Sequence, residues 1–170
     1  MRAVSSGVPS REAYVTYLVC HWRIHVGLEA MLATQLPVSW THGRLLKTSW
    51  LEADLQALEQ PLPGAPAPVP CVNSRAKALG VMYVLEGATL GLGVVSRRLP
   101  ASHPAVAGAG RFMAAYGDRT GSRWVEFQRI LETVDRAEWP FACMAANATF
   151  LTFQDVFNEA GVARLDAERP

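Results

Sequence analysis

The sequence lacks the features that mark disulfide-rich, nucleic-acid-binding or strongly charged proteins. It has three cysteines in 170 residues, Cys20, Cys71 and Cys143, and their wide spacing favours neither a disulfide framework nor a zinc site. The formal net charge is +1, so no excess of one sign favours nucleic acid or a membrane surface as partner. Half of the residues are hydrophobic. These values predict one globular domain over residues 1–170.

Long hydrophobic runs are also missing. The longest apolar stretch, residues 79–96, contains Glu86 and four glycines, whereas a spanning helix needs about 20 predominantly apolar residues. The N-terminus has no charged region followed by an apolar stretch and a cleavage site. We therefore expect no membrane span and no secretory signal, and we predict a cytoplasmic location.

Alternation typical of strands never lasts beyond four residues, whereas apolar residues recur at steps of three and four. This pattern predicts an all-α, single-domain bundle of about six helices. Alternating prolines in residues 61–73 forbid helix and predict an extended loop. The expected helices run from a cap at Ser10 to Pro37, then over residues 48–59, 74–98, 104–116, 121–134 and 139–160.

Aromatic side chains define the faces that the last two helices are expected to bury. The fifth helix is predicted to bury Trp124, Phe127, Ile130 and Leu131. The sixth is predicted to bury Phe141, Phe150, Phe153 and Phe157.

The third predicted helix contains four glycines, Gly80, Gly87, Gly91 and Gly93. Each glycine inside a helix costs about 1 kcal/mol relative to alanine, so the series calls for a physical reason. Close approach of another backbone, a kink, or a flat ligand lying on the helix would each supply one. Tight packing between helices remains the alternative to a ligand. The glycines also predict a bend near residues 87–93.

This glycine pattern resembles the distal helix of bacterial heme oxygenases. Further matches occur in the order found in that family and together span about residues 12–158. They are Tyr14-Val15-Thr16-Tyr17-Leu18 with His21 and Leu28-Glu29, the "ADL-x-x-L" segment at 51–58, Arg123-Trp124-Val125-Glu126-Phe127, and residues 145–153.

The resemblance implies cleavage of heme to biliverdin, carbon monoxide and iron, with oxygen and electrons from an external donor. Some relatives pass biliverdin to a bacterial phytochrome, which is therefore an expected partner. The resemblance also places Gly87, Gly91 and Gly93 beneath the heme and Tyr83 in the pocket, where ordinary core packing is its alternative role. Arg98 matches a basic position suited to heme propionates, although cations there also complement the helix C-terminus.

One departure concerns the iron ligand. Heme oxygenases hold iron by a histidine on a helix that precedes the Tyr14–Glu29 segment, and residues 1–10 contain no histidine. Either the sequence starts at an internal methionine, or this family member has no such ligand. The second case predicts a non-catalytic heme or biliverdin carrier, and apolar surface uncovered by the absent helix would then favour a homodimer.

Other polar residues lie at spacings that suit a site. His21, His25 and Glu29 are one helical turn apart, which is metal-ligand spacing, but a satisfied core histidine is the more common explanation. Glu29 and Glu86 are expected to bond to Trp22, Arg23 or Tyr83 and to fix helix register. Arg123, Trp124 and Phe127 are expected to serve packing, with the tetrapyrrole edge as their alternative. A di-iron site would need a Glu-x-x-His motif, which the sequence does not contain.

Overall fold

The structure, a computed structural model, describes residues 10–98, 106 and 108–161, with the side chains of 93–98 outside the description. The described chain contains helices and no strand, which confirms the all-α prediction. The α-helices are α1 Arg11–Gln35, α2 Val38–Thr41, α3 Lys47–Ala57, α4 Arg75–Arg98, α5 Arg111–Ala114, α6 Thr120–Leu131 and α7 Trp139–Glu159.

The first helix begins and ends where its capping residues predict. The Ser10 hydroxyl accepts a hydrogen bond from the Ala13 backbone N–H at 3.1 Å, which satisfies one free donor of the first turn. Leu36 is extended immediately before Pro37, so the helix cannot continue. One apolar stripe of α1 is buried, formed by Tyr14, Leu18, Ile24, Leu28 and Leu32.

The glycine-bearing helix α4 packs most extensively against α7. A Cβ atom at Gly80 would overlap the carbonyl oxygen of Ala142, so the two backbones approach more closely than any side chain would allow. Gly80 therefore serves the packing of one helix on another. The helix continues through Gly87, Gly91 and Gly93 to Arg98, and the bend near these glycines stays a prediction.

The prediction of a helix over residues 104–116 is wrong for the residues that the structure describes. Residues 108–110 are not helical, and α5 comprises only Arg111–Ala114. The chain then takes positive φ values of 49° at Ala115 and 59° at Gly117, which right-handed helix does not allow. Residues 101–105 and 107 lie outside the described part.

The prediction that Phe141 and Phe150 are buried is also wrong, since these side chains are 50% and 54% exposed. The buried positions of α7 are instead mostly small, because a helix that approaches another at the Gly80 contact has little room for aromatic rings. They are Ala145, Ala146, Thr149 and Val156. Phe153 and Phe157 are half-buried, as are Trp124, Ile130 and Leu131, whereas Phe127 is fully buried.

The proline-rich stretch lies between α3 and α4 without helical structure, as predicted. It covers the core through Ala67 and Val72, which are both buried, and the Ala67 N–H bonds to the Arg23 carbonyl at 2.7 Å. Within the described residues, no helix is long and apolar enough to cross a membrane.

Candidate functional site

Helix α4 presents one face that its neighbours leave open. Tyr83, Gly87, Leu90 and Gly91 lie on it, because residues four and seven to eight apart share a face of an α-helix. Tyr83 is 43% exposed and Leu90 38% exposed, although both are large apolar side chains. We call these four residues the open face.

The two glycines of the open face differ from Gly80. A Cβ atom at Gly91 would have nothing within 4 Å, and one at Gly87 would meet only the Trp124 ring at 3.8 Å. Packing inside the described protein therefore does not explain them. Their effect is to leave about one turn of helical backbone bare between apolar side chains, which suits a flat apolar ligand.

Trp124 borders the open face from α6. Its ring lies 5.7 Å from the Tyr83 ring and 5.9 Å from the Phe127 ring, measured between centroids. Because Phe127 is fully buried, it holds the tryptophan at the rim. The sequence motif indicated packing for Trp124. In the structure its ring packs on the buried Phe127 and also lies beside Tyr83 and Gly87 of the open face.

Beside the open face, α4 is fixed by a buried charge cluster around Glu86. The Glu86 carboxylate accepts hydrogen bonds from Arg44 Nη1 and Lys47 Nζ, each at 2.5 Å, and from the Tyr116 hydroxyl at 2.8 Å. The side chains of Glu86, Arg44 and Lys47 are only 2–3% exposed. The expected partner Tyr83 is not among these contacts, so the predicted role of Glu86 in fixing register agrees with the structure while its predicted partners are wrong.

The cluster also determines the protonation of its members. Burial lowers the pKa of Lys47, and the neighbouring Glu86 opposes that shift. Burial, followed by the negative charge of Glu86, raises the pKa of Tyr116, so its hydroxyl remains a donor. Nothing in the sequence indicates that Arg44, in the short connection before α3, and Lys47, the first residue of α3, face a carboxylate on α4.

Two further carboxylates each cap the N-terminus of a helix other than their own. Glu29 on α1 accepts the backbone N–H groups of Lys47 at 2.8 Å and Thr48 at 3.1 Å, at the start of α3. Asp54 on α3 accepts those of Arg111 and Phe112, both at 2.8 Å, at the start of α5. A negative group at a helix N-terminus satisfies free donors and complements the helix dipole. Glu29 is therefore structural, and its expected partners Trp22 and Arg23 are not the ones it uses.

The two histidines of α1 lie in a buried aromatic cluster. The ring neighbours of His21 and His25 belong to α1, α5 and α7, and none is an open-face residue. His25 Nδ1 is 2.9 Å from the His21 carbonyl, while His21 Nδ1 has no partner. The neighbouring rings are Tyr17, Phe112, Phe153 and Phe157.

Burial lowers the pKa of His25 from 6.5 to about 4 and lowers that of His21 further below its usual value. The unfolded chain therefore binds protons below about pH 6.5 that the folded chain excludes. We expect full stability above this pH and a loss of about 1.4 kcal/mol per pH unit for each histidine as the pH falls toward 4.

Urea unfolding from pH 7.5 to 4.5 measures this loss. His21→Phe, which keeps an aromatic ring in the cluster, is expected to reduce the slope of stability against pH. A parent chain equally stable at pH 7 and pH 5 would contradict the assignment of neutral, buried histidines.

Other expected site residues are only partly described. The backbone places Gly93 and Arg98 on α4 beyond the open face, and their side-chain surroundings lie outside the description. Among the described residues, no group of three or more His, Cys, Asp or Glu side chains is arranged to hold a metal ion.

The fold and the sequence were compared with known proteins. In overall fold the chain resembles the crystal structures of the NO- and CO-bound heme oxygenase from Neisseria meningitidis, with a TM-score of 0.68 and 21% identity, over 99% of this chain and 85% of that one. This likeness defines the protein as an all-α bundle of the heme oxygenase type.

Sequence comparison is more specific. The heme oxygenase family model matches residues 1–159. A heme oxygenase of Xanthomonas campestris pv. campestris (strain 8004) is 31% identical over 136 residues, which are 78% of this chain and 79% of that protein. The chain therefore belongs to the heme oxygenase family.

Proposed function

We propose that this protein binds heme on the open face of α4 and cleaves it oxidatively to biliverdin, carbon monoxide and iron. The observation that carries the proposal is the bare backbone at Gly91, where a Cβ would meet nothing within 4 Å. Family membership favours heme degradation over the alternative function of a non-catalytic heme or biliverdin carrier. Heme is here the substrate, and its iron supplies the site of oxygen activation.

The described residues fit such a substrate in three respects. Gly87 and Gly91 let a planar ring approach the helix backbone, Tyr83 and Trp124 provide aromatic surface at its edge, and Leu90 excludes water beside it. The charge cluster around Glu86 anchors the same helix through Arg44 and Lys47. Gly93 is assigned to the same surface and Arg98 to a heme propionate on the strength of their positions in the helix sequence.

Heme titration of the parent chain and Gly91→Leu tests the binding site. We expect heme to produce a Soret shift in the parent chain, and we expect Gly91→Leu to weaken heme binding at least tenfold, because the leucine side chain fills the space over the backbone. Thermal unfolding without heme should change little, since nothing packs against this position.

Gly121→Leu is the matched control, because Gly121 in α6 also has nothing within 4 Å but lies off the open face. Its heme affinity should equal that of the parent. If neither heme nor biliverdin produced a spectral shift, both the proposed cleavage of heme and the alternative of a heme or biliverdin carrier would be refuted.

Iron ligation is tested separately with His21→Phe and His25→Phe. Both variants are expected to keep the heme spectrum and the rate of biliverdin formation of the parent chain, because aromatic side chains enclose both rings. Loss of the parent spectrum in one variant, with intact folding by circular dichroism, would assign the iron ligand to that histidine of α1.

The proposal extends to partners and location. Oxidative cleavage of heme needs electrons from an external donor, and a bacterial phytochrome is proposed to accept the biliverdin. Exposed apolar residues on α7 favour a homodimer. Three cysteines without a disulfide, in the described part of the chain, agree with a reducing cytoplasm. The exposed apolar residues of α7 that favour the homodimer are Trp139, Phe141, Met144, Phe150 and Leu151.

Light scattering of the parent chain and of a Phe141→Ser/Leu151→Ser variant tests the dimer. The parent is expected to have twice the monomer mass and the variant the monomer mass. Phe141 and Leu151 are 50% and 57% exposed, so replacing them with serine removes apolar contact area from the dimer interface. A monomeric parent chain at micromolar concentration would contradict the dimer.

A further inference from the structure

A second concave site lies away from the open face. It is a cleft of about 510 Å³ between the end of α2, the start of α3 and the α5–α6 connection, and none of the α4 side chains that the structure describes lines it. Three arginines and one histidine contribute to its wall, and no aspartate or glutamate among the described residues does. These residues are His42, Arg111, Arg119 and Arg123.

Aromatic rings hold two of the guanidinium groups. Arg111 stacks on Trp50, with Cζ 4.0 Å from the ring centroid, and donates to the Ala115 carbonyl at 2.8 Å. Arg123 lies 5.2 Å from the Tyr116 ring centroid and donates to the His42 carbonyl at 2.8 Å. Each of these side chains is thus ordered before a ligand arrives, which lowers the entropic cost of binding.

The charge of the cleft is only partly compensated. Arg123 pairs with Glu126 at 3.4 Å, whereas neither Arg111 nor Arg119 forms an ion pair within the described residues. Positive charges gathered in a concave wall raise the local concentration of anions. The cleft therefore favours an anionic ligand with more than one charge.

Two consecutive residues that line the cleft, Tyr116 and Gly117, have backbone angles found in oxyanion sites. Tyr116, with φ −90° and ψ 8°, is followed by Gly117 with φ 59°. Successive right-handed and left-handed residues turn their N–H groups toward one side and form a concavity that binds oxyanions. Glycine at 117 makes the positive φ accessible without steric cost.

We infer that this cleft binds a phosphate-bearing small molecule with at least two negative charges. The forked guanidinium groups of Arg111 and Arg119 suit phosphoryl oxygens, and the Tyr116–Gly117 backbone suits a tetrahedral oxyanion. The volume of the cleft leaves room for more than a single phosphate group. Its test does not depend on the heme proposal, since no open-face residue lines the cleft.

Isothermal titration with inorganic pyrophosphate at 0.15 M salt tests the inference. We expect saturable binding to the parent chain and at least a tenfold loss of affinity in Arg119→Gln, because a charge-assisted contact disappears. Arg129→Gln is the matched control, since this exposed α6 arginine lies outside the cleft, and it should bind like the parent.

Succinate distinguishes phosphate from carboxylate ligands and should bind at least tenfold more weakly than pyrophosphate. Three results would each overturn the inference. They are no binding of pyrophosphate to the parent chain, equal losses in Arg119→Gln and Arg129→Gln, and equal affinity for succinate and pyrophosphate. Heme binding by Arg119→Gln should match the parent in every case.

Discussion

Glu86→Leu is expected to lower the free energy of unfolding by about 3–5 kcal/mol, because it leaves the buried Lys47 without its ion-pair partner and Arg44 with only the half-exposed Glu126. Arg44 and Lys47 each lie 2.5 Å from the carboxylate, and their side chains are 3% exposed. Urea unfolding followed by circular dichroism measures the loss.

Two variants separate this effect from an ordinary surface ion pair. Glu126→Gln removes a half-exposed carboxylate 3.4 Å from the same Arg44 and should cost at most about 1 kcal/mol. Adding Lys47→Met to Glu86→Leu removes one unpaired cation and should recover part of the stability. A Glu86→Leu variant as stable as the Glu126→Gln variant would refute the buried cluster.

Gly80→Ala is expected to destabilise the fold by about 3 kcal/mol or more, although alanine is the better helix former. The added methyl group would overlap the backbone of Ala142, and backbone moves less readily than a flexible side chain. Either α4 and α7 separate, or the helix distorts. Thermal and urea unfolding of the variant measure the cost.

Gly91→Ala in the same helix is the comparison. With nothing near its Cβ, the substitution should stabilise the chain by about 0.5–1 kcal/mol through helix propensity alone. Opposite signs at positions 80 and 91 would establish that two different causes keep glycine in one helix. Equal effects would contradict the distinction.

Helices with local signals in their own sequence were predictable. The Ser10 cap and Pro37 bound α1, the apolar spacing locates α6, and Gly161 follows the end of α7. Such signals act within a few residues, so they can be read without knowledge of the tertiary structure. The glycines of α4 were visible in the sequence, but which of them serve packing and which lie open was not, since Gly80 meets Ala142 and Gly91 meets nothing within 4 Å.

Features that depend on distant residues were not predictable. Whether Phe141 is buried depends on how closely α7 approaches α4 at Gly80. The spacing of apolar residues in the sequence does not indicate this distance. The partners of Glu86 come from 42 and 39 residues earlier and 30 later in the chain. Helix α5 is short because the chain turns at Ala115, where φ is positive. The apolar sequence of this segment does not predict a positive φ at an alanine.

The carboxylate caps have a consequence for the local stability of the helices. Glu29 of α1 starts α3, Asp54 of α3 starts α5, and Tyr116 after α5 reaches Glu86 of α4. A four-residue helix such as α5 has no stability of its own. Amide hydrogens of α5 should therefore exchange earliest among these helices. The buried cluster that holds α4 at Glu86 consequently depends on Tyr116, which directly follows the short helix α5 and shares its low local stability.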